Sequence, residues 1–364
     1  MKTVYFFTAL FCAFWASPML YAQSSNYLYG MTTNGGIHGA GVLFEFDPGK
    51  NVTTKKYDFD YETGAEPWGT LTAKDGKYYG MTESGGKYDM GVIFQWDPGT
   101  NEFLKRIDFA PLMGSHPLSS LIRYKEKLYG MTRKGGKDGY GVIFEWDPVS
   151  NNYLTKYDFC LVTGAGPTGD LLEFGGKFYG MTNKGGSANN GVIFEWDPET
   201  NVYLRTLDFD FTNGSSPYGT LVSSGGKIYG VTFGGGANGM GVLFEFNPET
   251  NLYTKKIDFG GLGKGSYPFG ALLVTEGKLY GTTQQGGDFN AGVLFEWDPA
   301  AETYTNKWHF DSTVNGFPQG GLSADSNVLY GMAGGGSSNQ GIIFQYNLAT
   351  NVFQEKIEFD GVNG

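Results

Sequence analysis

The 364-residue chain is poor in the residues that most often carry chemistry. It has only two cysteines, Cys12 and Cys160, so no disulfide framework can hold it and packing must supply its stability. Cys160 has no histidine or basic cluster beside it and reads as a small apolar residue at the start of a loop, not as a nucleophile. There are three histidines and four arginines, and 26 basic residues face 37 acidic ones. The formal charge of −11 repels phosphates and anionic lipid, which disfavours nucleic acid, membrane surfaces, and sulfated or uronic polysaccharides. No window shows apolar residues at helical spacing between caps. After the first twenty or so residues, no run is long and apolar enough to span a bilayer.

What is present begins with an address. Residues 1–22 carry Lys2, an uncharged apolar stretch, Pro18 and a small residue, Ala22, before Gln23. That order predicts a secretory signal peptide cut after Ala22, leaving a mature chain of residues 23–364 and an extracellular or cell-surface location, with the periplasm as alternative.

The mature chain then repeats itself. Tyr-Gly recurs at Tyr29, Tyr79, Tyr129, Tyr179, Tyr229, Tyr280 and Tyr330, spaced by 50 residues except for one spacing of 51, with the insertion near Gly261. Each unit holds four short apolar runs, for example "PYGTLVSS" from Pro217, "KIYGVT" from Lys227, "GVLFEFNP" from Gly241 and "LYTKKIDF" from Leu252. They are rich in β-branched and aromatic residues and bounded by Gly, Pro, Asn or Asp, the mark of strands. Two connections are tight and two are long, the long ones following the second and fourth runs. Four antiparallel strands per unit, seven times over, predict an all-β fold: a seven-bladed β-propeller forming a single domain. Both faces of a blade pack on neighbours. The recurring Phe44, Phe94, Phe144, Phe194, Phe244, Phe295 and Phe344, with an aromatic two residues on in each copy, are therefore expected in the core.

These residues also carry a resemblance. The Gly-Gly pair after the second run and the "DPETN" turn after the third resemble the kelch repeat. Leu-Tyr-Gly-x-Thr followed by Gly-Gly-x-x-Gly-x-Gly-x-x-Phe is still more similar to the bacterial GloVer tandem repeat, over nearly all of residues 27–360. The resemblance implies an exported propeller and brings no catalytic residues with it. At the ends the pattern breaks. The first unit begins at its second strand, Tyr27-Leu28-Tyr29, and the chain stops at Gly364 where a proline-led strand would follow. The first blade is expected either to take its inner strand from the C-terminal side, in a chain truncated after Gly364, or to remain three-stranded with an open edge.

Seven copies also sort the candidate chemistry. A residue present in every unit serves structure, because a reaction site needs its groups once. By that test Glu45, Glu145, Glu195, Glu245 and Glu296, with Gln95 and Gln345, are a structural ring, as are the acids at Asp58, Asp108, Asp158, Asp208 and Asp258. The glycine loops precede strands, not the helix that a dinucleotide fingerprint requires. Asp58, Asp60 and Glu62 alternate like the start of a calcium loop but lack its later ligands, so no cofactor is expected and calcium is the one cation considered. His38, His116 and His309 lie too far apart round a ring to share a metal.

The departures from the repeat remain. On the loop-rich rim they include Trp68, Tyr88, His116, Arg133, Tyr140, Tyr218 and Phe269, with Lys134, Asp138, Phe233 and Phe289 near them. Exposed aromatics among small polar residues suit sugar stacking or protein anchoring. The expected function is a non-enzymatic module, a monomeric ring binding a glycan or protein at this rim. The alternatives are a carbohydrate-active enzyme, hydrolase or lyase, the latter using His116, a tyrosine and Arg133, or a purely structural cell-surface array.

Overall fold

The computed structural model describes residues 20–21, 27–260 and 263–364. Seven antiparallel sheets follow one another along the chain, and no helix occurs among the described residues. The expected seven-bladed propeller is therefore the observed fold. Blade 4 shows the pattern: an inner strand paired on Lys177–Lys184, then Val192–Trp196, then an outer strand Tyr203–Asp208. The leader predicted over residues 1–22 and the insertion near Gly261 lie largely outside the described residues.

One predicted detail needs correction. The proline-led run pairs only over its last residues, as Val222–Ser224 does in blade 5, and in blades 4 and 6 a second short strand precedes it. In blade 4 the two are Ala165–Pro167 and Leu172–Phe174, which pair with the two ends of Lys177–Lys184. The residues between them leave the sheet toward the central axis. Blade 1 has three full strands, Leu28–Thr32, Val42–Asp47 and Val52–Asp58, and its inner edge carries only the two-residue strand Leu20–Tyr21. That short strand falls within the stretch predicted to be a leader.

The Tyr-Gly pair has a spatial cause. A Cβ placed on Gly30, Gly80, Gly130, Gly180, Gly230, Gly281 or Gly331 would lie 2.4–2.6 Å from Cζ of the phenylalanine opposite it on the third strand. Glycine is there to admit that ring. The tyrosine beside it reaches the next blade, as Tyr79 does edge-on to Trp146, with ring centroids 5.6 Å apart. Trp146 is wholly buried, and its Nε1 donates to Asn151 Oδ1 at 3.1 Å. Asn151 in turn donates to the Arg106 carbonyl of the preceding blade at 3.2 Å. One turn residue thus anchors the core indole and ties two blades. The ring closes in the same way: Phe46 of blade 1 meets Tyr330 of blade 7 at 6.3 Å, and Phe44 meets Phe359 at 5.5 Å. Leu28, Val42, Met332 and Ile343 complete that seam.

The recurring acids are structural, as expected. Glu145 Oε2 accepts from the Tyr129 hydroxyl at 2.9 Å while Lys127 pairs with Oε1, and Glu195, Glu245 and Glu296 repeat the arrangement. Asp58, Asp108, Asp158 and Asp258 each accept a backbone N–H from their own blade's glycine loop. Asp60 Oδ1 is taken up by the N–H groups of Glu62 and Thr63 and the Thr63 hydroxyl.

Candidate functional site

The two long loops of each unit meet on one rim. Ser115 and Lys134 exchange backbone hydrogen bonds at 2.7 and 3.0 Å, and Ser215 and Gly234 do the same in blade 5 at 2.8 and 3.0 Å. The residue before each rim proline is held in the left-handed region: Glu66, His116, Gly166, Ser216, Tyr267 and Phe317, with φ between 49° and 62°. Five of these six are not glycine, a backbone cost of about 1–3 kcal/mol each. Each N–H is repaid by a carbonyl of the preceding blade, such as His116 N to Met90 O at 2.9 Å. The rim is therefore rigid, and it projects the residue after each proline inward.

Those inward residues line a cavity of about 330 Å³ at the looped mouth of the channel. One wall is aromatic. Tyr218 and Phe269 stack at 4.9 Å and 16°, backed by Phe233, whose ring lies edge-on to both. Trp68, Glu83 and Arg133 also line the cavity. Burial pushes the Glu83 carboxyl up, and so does the charge of Glu66; a hydrogen bond with Trp68 and the charge of Arg133 only partly offset this.

The floor is a neck. Thr70, Ser120, Asp170, Thr220, Ala271 and Gly321 occupy equivalent places round the axis. The Thr70 amide donates to Ser120 Oγ at 2.7 Å, the Ser120 amide to Asp170 Oδ1 at 2.5 Å, and the Asp170 amide to Thr220 Oγ1 at 3.0 Å. The preceding residue is glycine in most blades because the chains nearly touch: a Cβ on Gly169 would sit 2.3 Å from the Gly219 carbonyl oxygen. Asp170 is the one carboxylate of the neck. It is half-buried: protein encloses it on most sides, and it touches channel space both above and below the neck. Burial raises its carboxyl above the usual range, although Ser120 and Thr220 donate to it. Beyond the neck, Ser120, Asp170 and Thr220 also face a wider funnel of about 1000 Å³ at the hairpin end, which Tyr29 also lines.

Of the seven candidates drawn from the sequence, four converge here: Trp68, Arg133, Tyr218 and Phe269. Three do not. Tyr88 is exposed on an outer loop, with the Lys87 ammonium 5.0 Å from its ring centre. Tyr140 packs against the core shared by blades 3 and 4. His116 lies in the rim backbone next to Arg133, whose N–H donates to the His116 carbonyl at 3.3 Å. Its imidazole does not line the cavity, and burial followed by the charge of Lys134 pushes its basicity down. Glu83 and Asp170 were missed. Their signal was available, since both stand where other copies carry different residues: Thr33, Arg133 and Asn183 for Glu83, Thr70 and Thr220 for Asp170.

The model of the Gloeobacter/Verrucomicrobia repeat matches residues 13–194 and again 167–364. The chain belongs to this repeat family. No curated protein matches it by sequence. Solved structures share its fold. The GH74 enzyme of Niastella koreensis superposes with a TM-score of 0.66 at 13% identity, over 94% of this chain and 53% of that one. The extracellular domain of a one-component system from B. thetaiotaomicron gives 0.63 at 12% identity, over 92% and 38%. The β-propeller domain of the Trilobed protease from Pyrococcus furiosus gives 0.59 at 12%, over 96% and 97%. The repeat-family chain thus spans about half or less of the first two neighbours, and at these identities the likeness is one of fold. Among the described residues no helix is long and apolar enough to cross a membrane, and no cluster of three or more metal-ligating side chains occurs.

Proposed function

We propose that the protein is an exported glycan-binding propeller that holds the end of a saccharide chain at the looped mouth of its channel. The observation that carries this reading is convergence. Residues that break the repeat, placed in five different blades, meet in one cavity, and three of them are Trp68, Tyr218 and Phe269. Aromatic faces beside small polar groups match the apolar and polar faces of a sugar ring. A cavity of about 330 Å³ suits a chain end and not a whole polymer strand. The acidic surface favours neutral or cationic glycans.

A glycan array with the purified protein tests the reading. Hits that weaken at least about tenfold in Tyr218→Ala and in Phe269→Ala support it. Hits indifferent to both substitutions, or a protein ligand with no glycan hit, overturn it. One observation favours a second reading as a glycoside hydrolase: Glu83 and Asp170, both with carboxyls pushed up, share the cavity. Reducing-sugar release on an array hit, abolished in Glu83→Gln, would establish the enzyme. Binding without turnover keeps the module.

A further inference from the structure

The proposed sugar site contains a charge that nothing nearby balances. Asp170 stands where the other five neck positions carry a hydroxyl or a small residue, and its hydrogen-bond partners, Ser120 and Thr220, are neutral. Among the described residues no basic side chain acts on it. Arg133, in the same cavity, acts on Glu83 instead. A largely enclosed carboxylate is ordinarily paired, and here its open sides face the cavity above the neck and the funnel below it. The same cavity is lined by the Tyr218–Phe269 stack, which Phe233 backs edge-on. A carboxylate that shares a cavity with aromatic rings suits an ammonium group: the rings attract the cation through their negative faces and the carboxylate neutralises it. The surface at large draws cations as well.

We propose that Asp170 and the Tyr218–Phe269 face form a subsite for a primary ammonium carried by the ligand, so that the saccharide held at the mouth is an amino sugar with a free amine. This rests on the glycan reading and narrows it. The ammonium donates to the Asp170 carboxylate in place of water, while the sugar ring lies on the aromatic wall. An N-acetyl group would remove the charge and leave the carboxylate unpaired, so acetylated residues are disfavoured.

The test is calorimetric titration at about pH 6, because the oxygens beside a sugar amine make it less basic than a lysine and it is mainly charged only on the acid side of neutrality. The probes are a glucosamine tetramer, its fully N-acetylated form, a glucose tetramer, and alanylalanine amide as an amine without a sugar. The proteins are the wild type, Asp170→Asn, and Asp170→Thr, which restores the residue found at Thr70 and Thr220 should the amide fail to fold. The expected result is at least tenfold tighter binding of the glucosamine tetramer than of the other two sugars, with that ratio falling to about one in both variants while sugar binding persists. Equal affinity for all three sugars in the wild type, or a preference retained without Asp170, overturns the subsite and leaves the glycan reading standing. Binding of the dipeptide amide alone, lost in the Asp170 variants, keeps the subsite and overturns the glycan reading. Binding of none of the probes overturns the subsite.

Discussion

Gly180→Ala tests whether the repeated glycine exists to admit a ring. Gly180 does not have a positive φ, so its backbone accepts alanine without strain. The obstacle is Phe194, whose Cζ and Cε1 would lie 2.4 and 2.9 Å from the new methyl, against a comfortable carbon separation of about 3.5–4.0 Å. The ring must therefore move by about 1 Å. It has nowhere to go: it is fully buried, with Phe159 of the preceding blade 5.4 Å away on one side and Tyr203 5.2 Å away on the other. Overpacking of this kind costs about 1–3 kcal/mol, while alanine returns about 0.4–1 kcal/mol by restricting the unfolded chain. The expected net loss is about 1–2 kcal/mol, read as a lower urea midpoint with an unchanged slope. Phe194→Leu removes the clashing edge, so the double variant should be less destabilised than the sum of the singles by at least about 0.5 kcal/mol. A neutral Gly180→Ala, or strict additivity with Phe194→Leu, would refute the reasoning.

Trp146→Ala should cost about 3–5 kcal/mol in the same denaturation assay, because a fully buried indole that bridges blades 2 and 3 is lost. The carboxyls of Glu145, Glu245 and Glu296 would be raised by burial, but hydrogen bonds from Lys127, Lys227 and Lys278 and from the paired tyrosines outweigh that and hold them below the usual range. Their contribution is thus present above about pH 4.5 and is lost as pH falls through the depressed values, so the triple Gln variant should show a flatter loss of stability on acidification, measured by circular dichroism. Asp170 has the opposite sign. Its carboxyl is raised, so its share of stability is present at low pH and lost as pH rises through the raised value. Asp170→Asn should therefore stabilise the ligand-free protein by about 0.5–2 kcal/mol at neutral pH, with the gain shrinking toward pH 4. His116→Gly should leave glycan binding unchanged and, by relieving φ of 54°, raise stability by up to about 1 kcal/mol in urea titration.

The fold was legible because fifty-residue periodicity and strand chemistry recur seven times, and each recurrence is an independent statement of the same packing. The inner strand was misread for a local reason. "PTGDLLEF" has the composition of a strand, but its middle runs beside the next blade's chain, so close that Gly169 has no room for a side chain beside the Gly219 carbonyl, and that neighbour lies 50 residues away in sequence. In the site, Trp68, Arg133, Tyr218 and Phe269 were visible as departures from the repeat. Tyr140 was an equal departure and went into the core, because sequence alone does not say which loop residues point inward. Asp170 escaped notice because the acids were weighed as recurring rings, and it belongs to a ring of hydroxyls. Where copies of one unit surround an axis, the residue that breaks chemical type at the axis is the more telling signal.

A crystal structure of the protein soaked with the tightest-binding oligosaccharide tests the central claim most directly. The account predicts a sugar ring in the channel mouth, lying on Tyr218 and Phe269 and facing Trp68, with its polar edge toward Asp170. A sugar bound on the outer loops, for example against Tyr88, with water alone in the mouth, would contradict it.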